Sequence, residues 1–372
     1  MTERPKLADP VPPSARSKGA PQCRSRSGVD GAELLESISA ASPALRRLAG
    51  ASLLVTGATG WFGTWLLDYL CAADDILDLG IRIAAVSRKP EDFLRRFEGF
   101  RGDARISWVR SDVRNLTPGS GDFSHVIHAA ADSSEKGGGF GAQQQFDTIV
   151  EGTRRAIACA GPGCRGFLFL SSGAVYGPAA PGAARFMDGQ SGGPDPSLPS
   201  SAYGEGKRAA EQLCAIAAGA GTPVRIARCF AFVGPHMPFD RHFAIGNFIA
   251  DAVSGRPIHI KSDGMPQRSY LYMSDLMRAL VVILVDGAAG RTYNVGSEAG
   301  LTIKDLAERV NRIVGGRGIA LDGGVTDPAN RYVPDTFRLR NELEFEPAVP
   351  LDVAISRTAA WYRAQLNRSV PS

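Results

Sequence analysis

The stretch Leu53-Leu54-Val55-Thr56-Gly57-Ala58-Thr59-Gly60-Trp61-Phe62-Gly63 decides how the rest of the chain is read. Ser52 to Val55 is a short aliphatic run, the pattern of a strand buried on both faces. Glycines follow at a spacing of three, and Trp65-Leu66-Leu67-Asp68-Tyr69-Leu70 then reads as an apolar helix. Strand, glycine turn and helix in that order give the motif its meaning. Gly57 allows a tight turn, Gly60 lets a pyrophosphate approach the backbone, and Gly63 lets helix and strand pack closely. The N–H groups of the first helical turn then face the phosphates, which assigns dinucleotide binding to Gly57, Thr59, Gly60, Trp61, Phe62 and Gly63.

Outward from the turn, Ile81 to Val86 is a second strand ending at Ser87-Arg88-Lys89. An NAD-selective fold places Asp or Glu there for the ribose hydroxyls. Two cations and a hydroxyl suit a 2′-phosphate instead, so NADP is favoured over NAD. Ile106 to Val109 is a third strand, followed by Asp112-Val113. Val126-Ile127-His128 is a fourth, ending in Ala129, Ala130 and Ala131, small residues where a cofactor must come close. His128 reads as a packed core histidine. The glycine-rich loop Lys136 to Gly141 has the character of a lid, and Phe146 to Cys159 is a helix. Phe167 to Leu170 is a fifth strand that runs into Ser171-Ser172-Gly173. Strands alternating with helices imply right-handed crossovers and a parallel sheet, with ligands at the carboxyl ends of the strands. The expected fold is α/β, a Rossmann-type doubly wound parallel sheet with a smaller C-terminal α/β substrate domain.

The composition, 44% hydrophobic and 22% charged over 372 residues, is that of a globular protein. A net charge of +4 gives no argument for nucleic acid. Six cysteines are scattered without a C-x-x-C pair, against a zinc site or disulfide framework and in keeping with a reducing cytoplasm. The longest apolar stretch, around Val281 to Val285, falls short of a membrane span. Residues 1 to 30, rich in Pro, Ser, Arg and Gly, read as a disordered extension. Leu34, Leu35, Ile38, Leu45 and Leu48 suggest a helical lead-in over 31–50. Residues 51–232 form the expected dinucleotide-binding domain. Residues 233–372 form mainly the substrate domain, with some segments returning to the first.

Tyr203 and Lys207 lie four apart, one turn along a helix face that continues through Ala210, Leu213 and Cys214. A tyrosine near a lysine is commonplace. Ser172 at the end of the fifth strand, followed later by Tyr-x-x-x-Lys, matches a known chemistry. A free phenol, with a pKa near 10, is a poor base at neutral pH. An adjacent ammonium and an oxidised nicotinamide both favour the phenolate, and reaching a pKa of about 7 takes roughly 4 kcal/mol. Tyr203 then exchanges a proton with a substrate hydroxyl or carbonyl, and Ser172 holds the same oxygen in line. Ser171 is the alternative serine. Ser171, Tyr203 and Lys207 also fall on the cofactor side.

On these residues the chain resembles an extended short-chain dehydrogenase/reductase of the NAD-dependent epimerase/dehydratase family, from about Ser52 to the C-terminus. The matching segments are Thr56 to Gly63, Ser171-Ser172-Gly173-Ala174-Val175-Tyr176-Gly177 and Tyr203 to Lys207. Further on come Gly234-Pro235, Gln267 to Leu276 and Tyr293-Asn294-Val295-Gly296-Ser297. The resemblance implies a nucleotide-diphosphate sugar as substrate and a homodimer. It also implies a role for Arg268, which matches an arginine that neutralises the sugar-nucleotide pyrophosphate, and for Arg331, where a second is often found. Ser133, Ser134, Ser172 and Asn247 complete the expected substrate set. Asp275 is expected to cap a helix beginning at Leu276, and His236 and His242 are left unassigned.

Departures from the family pattern narrow the chemistry. Its 4,6-dehydratases carry an Asp-Glu pair after the catalytic hydroxyl residue, and its decarboxylases keep the glutamate; this chain has Gly173-Ala174. Ile149 stands where the family has Asn, and Ala231 replaces a substrate-side Asn. The remaining Ser-Tyr-Lys set suits oxidation and reduction at a sugar carbon, most simply C4. A 4-ketoreductase using NADPH is favoured over a 4-epimerase holding NAD tightly. Dehydratase, decarboxylase and non-catalytic cofactor-binding readings rank lower.

Overall fold

The computed structural model describes residues 23–119, 121–131, 141–180, 182–239, 243–324 and 330–369. Its centre is a parallel sheet, seven-stranded among the described residues. It contains β1 (Ser52–Thr56), β2 (Arg82–Ser87), β3 (Ile106–Arg110), β4 (His125–His128), β5 (Gly166–Ser172), β6 (Val224–Cys229) and a returning strand, Thr292–Val295. Across the sheet the order is Thr292–Val295, β6, β5, β4, β1, β2, β3. β1 pairs with β2 on one side and β4 on the other, Thr56 standing opposite both Val86 and His128. The winding direction reverses at β1, which opens a crevice at the carboxyl ends of β1 and β4. β1 and β5 are buried along their whole length, as their unbroken apolar character requires.

Both faces are covered by helices. On one lie α1 (Gly31–Ala40), α2 (Ser42–Arg46), α3 (Trp61–Leu77) and, further along the chain, α8 (Met273–Asp286); α4 (Pro90–Arg96) follows β2. On the other lie α5 (Ala142–Cys159) and α6 (Ala202–Gly219), through Ile149, Ala156, Ala210 and Cys214. A separate core joins α7 (Ala244–Val253), α9 (Ile303–Val314) and α11 (Leu351–Ser369) through Ile245, Phe248, Leu306, Val310 and Ile355. α10 (Phe337–Leu343) packs near the returning strand. No helix among the described residues is long and apolar enough to cross a membrane.

Two expectations need correction here. Disorder to residue 30 fails for the segment from Cys23 onward, because charge, not apolar periodicity, orders it. Arg26 is buried with its guanidinium 2.8 Å from Asp75 and 2.7 Å from Asp103, while its backbone N–H donates to Asp68 at 2.7 Å. Nor does Asp275 cap a helix at Leu276. α8 begins at Met273, and the buried Asp275 carboxylate accepts from the Ala348 and Val349 backbone N–H groups and from Arg278. Ser133, Ser134 and His242, and the expected lid apart from Gly141, lie outside the described residues.

Candidate active site

The turn after β1 is sterically determined. Gly57 has φ +67°, and a Cβ there would lie 2.7 Å from the Ala129 carbonyl oxygen at the end of β4. A Cβ on Gly63 would lie 2.2 Å from the Gly57 carbonyl oxygen. Gly60 differs: a Cβ there would meet nothing closer than the Gly57 oxygen at 3.4 Å, so packing within the chain does not demand glycine. Gly60 is also the N-cap of α3, and no side chain among the described residues caps that helix. Open space above an uncapped helix start fits a pyrophosphate, whose charge the N–H groups stabilise.

Around this cradle, the Ser87 hydroxyl lies 2.9 Å from that of Thr59 and accepts from the Lys89 N–H, tying the tip of β2 to the turn. Arg88 is close enough to help hold the Asp112 carboxyl below its usual range, though the Arg114 hydrogen bond does more. Asp112 accepts from the Arg114 backbone and side chain, and Val113 is buried behind it. Ala129, Ala130 and Ala131 follow β4, with Ala129 and Ala130 beside Gly57, and the Ala130 N–H donates to the Thr56 hydroxyl. The Trp61 indole N–H donates to the Pro235 carbonyl at 2.9 Å, and Phe62 meets Phe232 edge-on, so these two side chains tie the turn to the segment after β6. What they offer a ligand is backbone. The buried His128 sits between the Thr56 and Thr153 hydroxyls at 2.6 and 3.0 Å; burial, with Lys207 nearby, pushes its pKa down to about 3. It is a neutral core histidine.

At the end of β5 the two serines point to different partners. Ser171 donates to Glu211 at 2.6 Å, and Glu211 is gripped by both arms of Arg228. Ser172 turns toward two phenols: it is the hydrogen-bonding neighbour that draws the Tyr203 pKa down, and its Oγ lies 3.4 Å from the Tyr332 hydroxyl. Ser171 is thus occupied by a carboxylate, whereas Ser172 faces the phenols. Lys207 is buried, donates to the Leu170 carbonyl at 2.6 Å, and lies over the Phe169 and Tyr203 rings at 4.7 and 5.9 Å. Burial lowers its pKa to about 8 and raises that of Tyr203 to about 12, Ser172 pulling the latter back. The lysine ammonium and an oxidised nicotinamide are expected together to acidify the phenol; Lys207 is not among the groups that lower the Tyr203 pKa. Its ammonium is aimed at a carbonyl, and desolvation of the phenolate is the larger effect.

Sequence reading missed Tyr332, Phe230 and Glu211. A Cβ on Gly173 would lie 2.7 Å from the Tyr332 hydroxyl oxygen and 2.7 Å from the Phe230 ring. These rings pack at a tilt with centroids 4.7 Å apart, and Phe186 and Tyr176 continue the aromatic cluster. Glu211 could have been found four residues beyond Lys207 on the same helix face. Tyr332 adjoins Arg331, one of the two expected diphosphate arginines.

The expected substrate arginines are brought together on paired two-residue strands, Gln267–Arg268 and Arg331–Tyr332. Arg268 donates to the Gln267 and Asn330 carbonyls and to the Asn330 side chain. Arg331 donates to the Ala183 carbonyl at 2.6 Å, while its buried Nε has no partner among the described residues. Asn247 lies in the first turn of α7. His236 packs edge-on against Phe97 and Trp361, away from this constellation.

A doubly wound sheet with a glycine turn at its switch point, a serine at the end of β5 and a Tyr–Lys pair on α6 defines a dinucleotide-dependent enzyme fold. The model of the NAD dependent epimerase/dehydratase family matches residues 53–296, and the chain belongs to that family. UDP-glucuronic acid decarboxylase 1 of Arabidopsis thaliana is 28% identical over 316 residues, covering 84% of this chain and 70% of the relative. dTDP-glucose 4,6-dehydratase of Streptomyces griseus is 28% identical over 324 residues, covering 83% and 93%. Among solved structures, dTDP-glucose 4,6-dehydratase from Bacillus anthracis in complex with NAD aligns with a TM-score of 0.72 at 20% identity, covering 85% of this chain and 98% of that one. UDP-glucuronic acid 4-epimerase from Bacillus cereus in complex with NAD aligns at 0.70 and 22%, covering 85% and 99%. The structural likenesses agree with the expected fold.

Proposed function

We propose that the chain oxidises or reduces one carbon, C4, in the sugar of a nucleotide-diphosphate sugar, and that its net reaction is reduction of a 4-keto sugar with NADPH. The observation that carries this reading is the Ser172–Tyr203–Lys207 set combined with closure of the space at Gly173 by Tyr332 and Phe230. Loss of water or carbon dioxide from a sugar calls for additional acid and base groups. Here the positions after Ser172 carry no carboxylate, and at Gly173 there is no room for one.

When bound, the nicotinamide cofactor supplies the hydride donor or acceptor. The residues that would hold it are the Gly57–Gly63 turn, Ser87-Arg88-Lys89, Asp112-Val113, Ala129 to Ala131 and the Tyr203–Lys207 helix face. Tyr203 gives a proton to the sugar oxygen as a carbonyl is reduced, or takes it in the reverse direction. Ser172 donates a hydrogen bond to that oxygen and fixes its position. Lys207, anchored on Leu170, keeps a positive charge beneath the phenol ring. Arg268 and Arg331 are assigned to the diphosphate, for which a guanidinium fork is well matched.

The test is to purify the protein, identify any released nucleotide, and titrate with NADPH and NADH. We expect no stoichiometric NAD and tighter binding of NADPH through Arg88 and Lys89. Co-purifying NAD would overturn the reductase in favour of a 4-epimerase. That second reading is supported by the Ser87 hydroxyl, which is engaged by Thr59 and Lys89. The reading includes a homodimer, checked by light scattering.

A further inference from the structure

We propose that Tyr332 is a positioning residue that fixes Ser172 as a hydrogen-bond donor toward Tyr203 and the reacting oxygen. This rests on the reading above and adds a residue to its machinery. A serine hydroxyl has one proton and two acceptor lone pairs. The Ala174 N–H donates to Ser172 Oγ at 3.1 Å, filling one lone pair. The Tyr332 hydroxyl lies 3.4 Å away, a contact in which either oxygen can be the donor; in the proposed arrangement Tyr332 donates to the second lone pair. With both lone pairs engaged, Ser172 can meet a third oxygen only by donating its own proton. Without Tyr332, Ser172 could instead accept from Tyr203, which would hold the phenol proton in place.

The surroundings support this direction of donation. Tyr332 packs against the tilted Phe230 ring at 4.7 Å and edge-on to Phe186 at 6.3 Å. Burial raises the Tyr332 pKa against smaller lowering by Ser172 and by Arg268, which stands opposite on the paired strand, so the hydroxyl keeps a proton to donate. The other charged or titratable groups that bear on the pair are Lys207 on α6 and Cys229 on β6. Gly173 is part of the same arrangement, because any side chain there would displace the Tyr332 hydroxyl.

The test compares Tyr332→Phe, which keeps the packed ring and loses the hydroxyl, with Ser172→Ala and the double variant. Reduction of NADP or NAD by UDP-glucose or dTDP-glucose is followed by fluorescence. Tyr332→Phe should lower kcat by about five- to tenfold, the worth of one hydrogen bond, with KM within about twofold. In the Ser172→Ala background it should add nothing, because it acts through that serine. An equal loss in both backgrounds overturns the proposal. A second readout needs no turnover: the Tyr203 Cζ resonance in 13C-tyrosine-labelled protein at neutral pH, assigned among eight tyrosines with Tyr203→Phe. It should move in the same direction in Ser172→Ala and Tyr332→Phe. A resonance unmoved in Tyr332→Phe overturns the proposal, whatever Ser172→Ala does. Failure of every sugar nucleotide in the wild type counts against the proposed function, and the resonance still decides the role of Tyr332.

Discussion

The glycine turn after β1 and the glycine after β5 solve the same steric problem with different partners. Gly63 makes room for the backbone of Gly57 and Ala58, a few residues away. Gly173 makes room for Phe230 and for Tyr332, the latter hydrogen-bonded to a serine 160 residues distant in sequence. The glycine turn is therefore encoded locally, whereas the ring that closes on Gly173 arrives from the far part of the chain.

Gly63→Ala tests the local half and should have the largest effect. Its methyl would meet backbone at 2.2 to 2.5 Å, and backbone cannot rotate aside. We expect a stability loss of about 3 kcal/mol or more in denaturant unfolding, and no measurable cofactor binding. Tyr203→Phe tests the reaction end. It should leave unfolding and cofactor affinity near wild type while lowering kcat by about 10² to 10⁴-fold, since acid–base help is what it removes. Turnover unchanged in that variant would take the phenol out of the mechanism.

The same division explains what could be read beforehand. The turn, the alternation of strands and helices, and the Tyr203–Lys207 spacing are short-range patterns, and the sheet they predict is the one observed. Ser172 and Ser171 are adjacent and chemically alike; only the fold shows that Glu211 takes one of them. Tyr332 carried no signal of its own, because a tyrosine after an arginine has no periodic or spacing meaning. The ordered segment around Arg26 was invisible for a related reason. Its partners Asp75 and Asp103 belong to α3 and to the loop before β3, and composition alone reports only that the segment is polar.

Glu33 extends the long-range theme to pH. It lies on α1, is buried, and accepts from the Tyr272 hydroxyl at 2.9 Å, with Arg357 of α11 3.9 Å away. Burial outweighs both partners and raises its pKa from 4.5 to about 7. Between those values the folded chain holds a proton that the unfolded chain releases, so this contribution to stability is complete below pH 4.5 and is lost as pH rises through 7. The loss amounts to about 3 kcal/mol. Glu33→Gln should therefore flatten the fall in stability between pH 5 and 8 and be the more stable protein at pH 8. Parallel stability profiles for the two proteins would show that Glu33 does not titrate there.

Gly173→Ala should be milder than Gly63→Ala, because the opposing atoms are side-chain rings that can yield. We expect a loss of about 1 to 3 kcal/mol. Tyr332→Ala should relieve part of it, so that the pair is less destabilising than the sum in a double-mutant cycle. Strict additivity would separate Gly173 from Tyr332.

Gly60→Ala should change stability least, and it separates two reasons for having a glycine. Its Cβ would find ordinary van der Waals distance, and replacing an N-cap glycine by alanine costs about 1 kcal/mol or less. If the glycine is kept for a ligand, that small change should accompany a loss of cofactor affinity of about tenfold or more, since a methyl would stand where the phosphates approach the helix start. Isothermal titration with NADPH beside a denaturant melt reads both quantities. Unaltered affinity would mean that the open space over α3 is not where the pyrophosphate lies, and the local half of the comparison would lose its functional meaning while keeping its steric one.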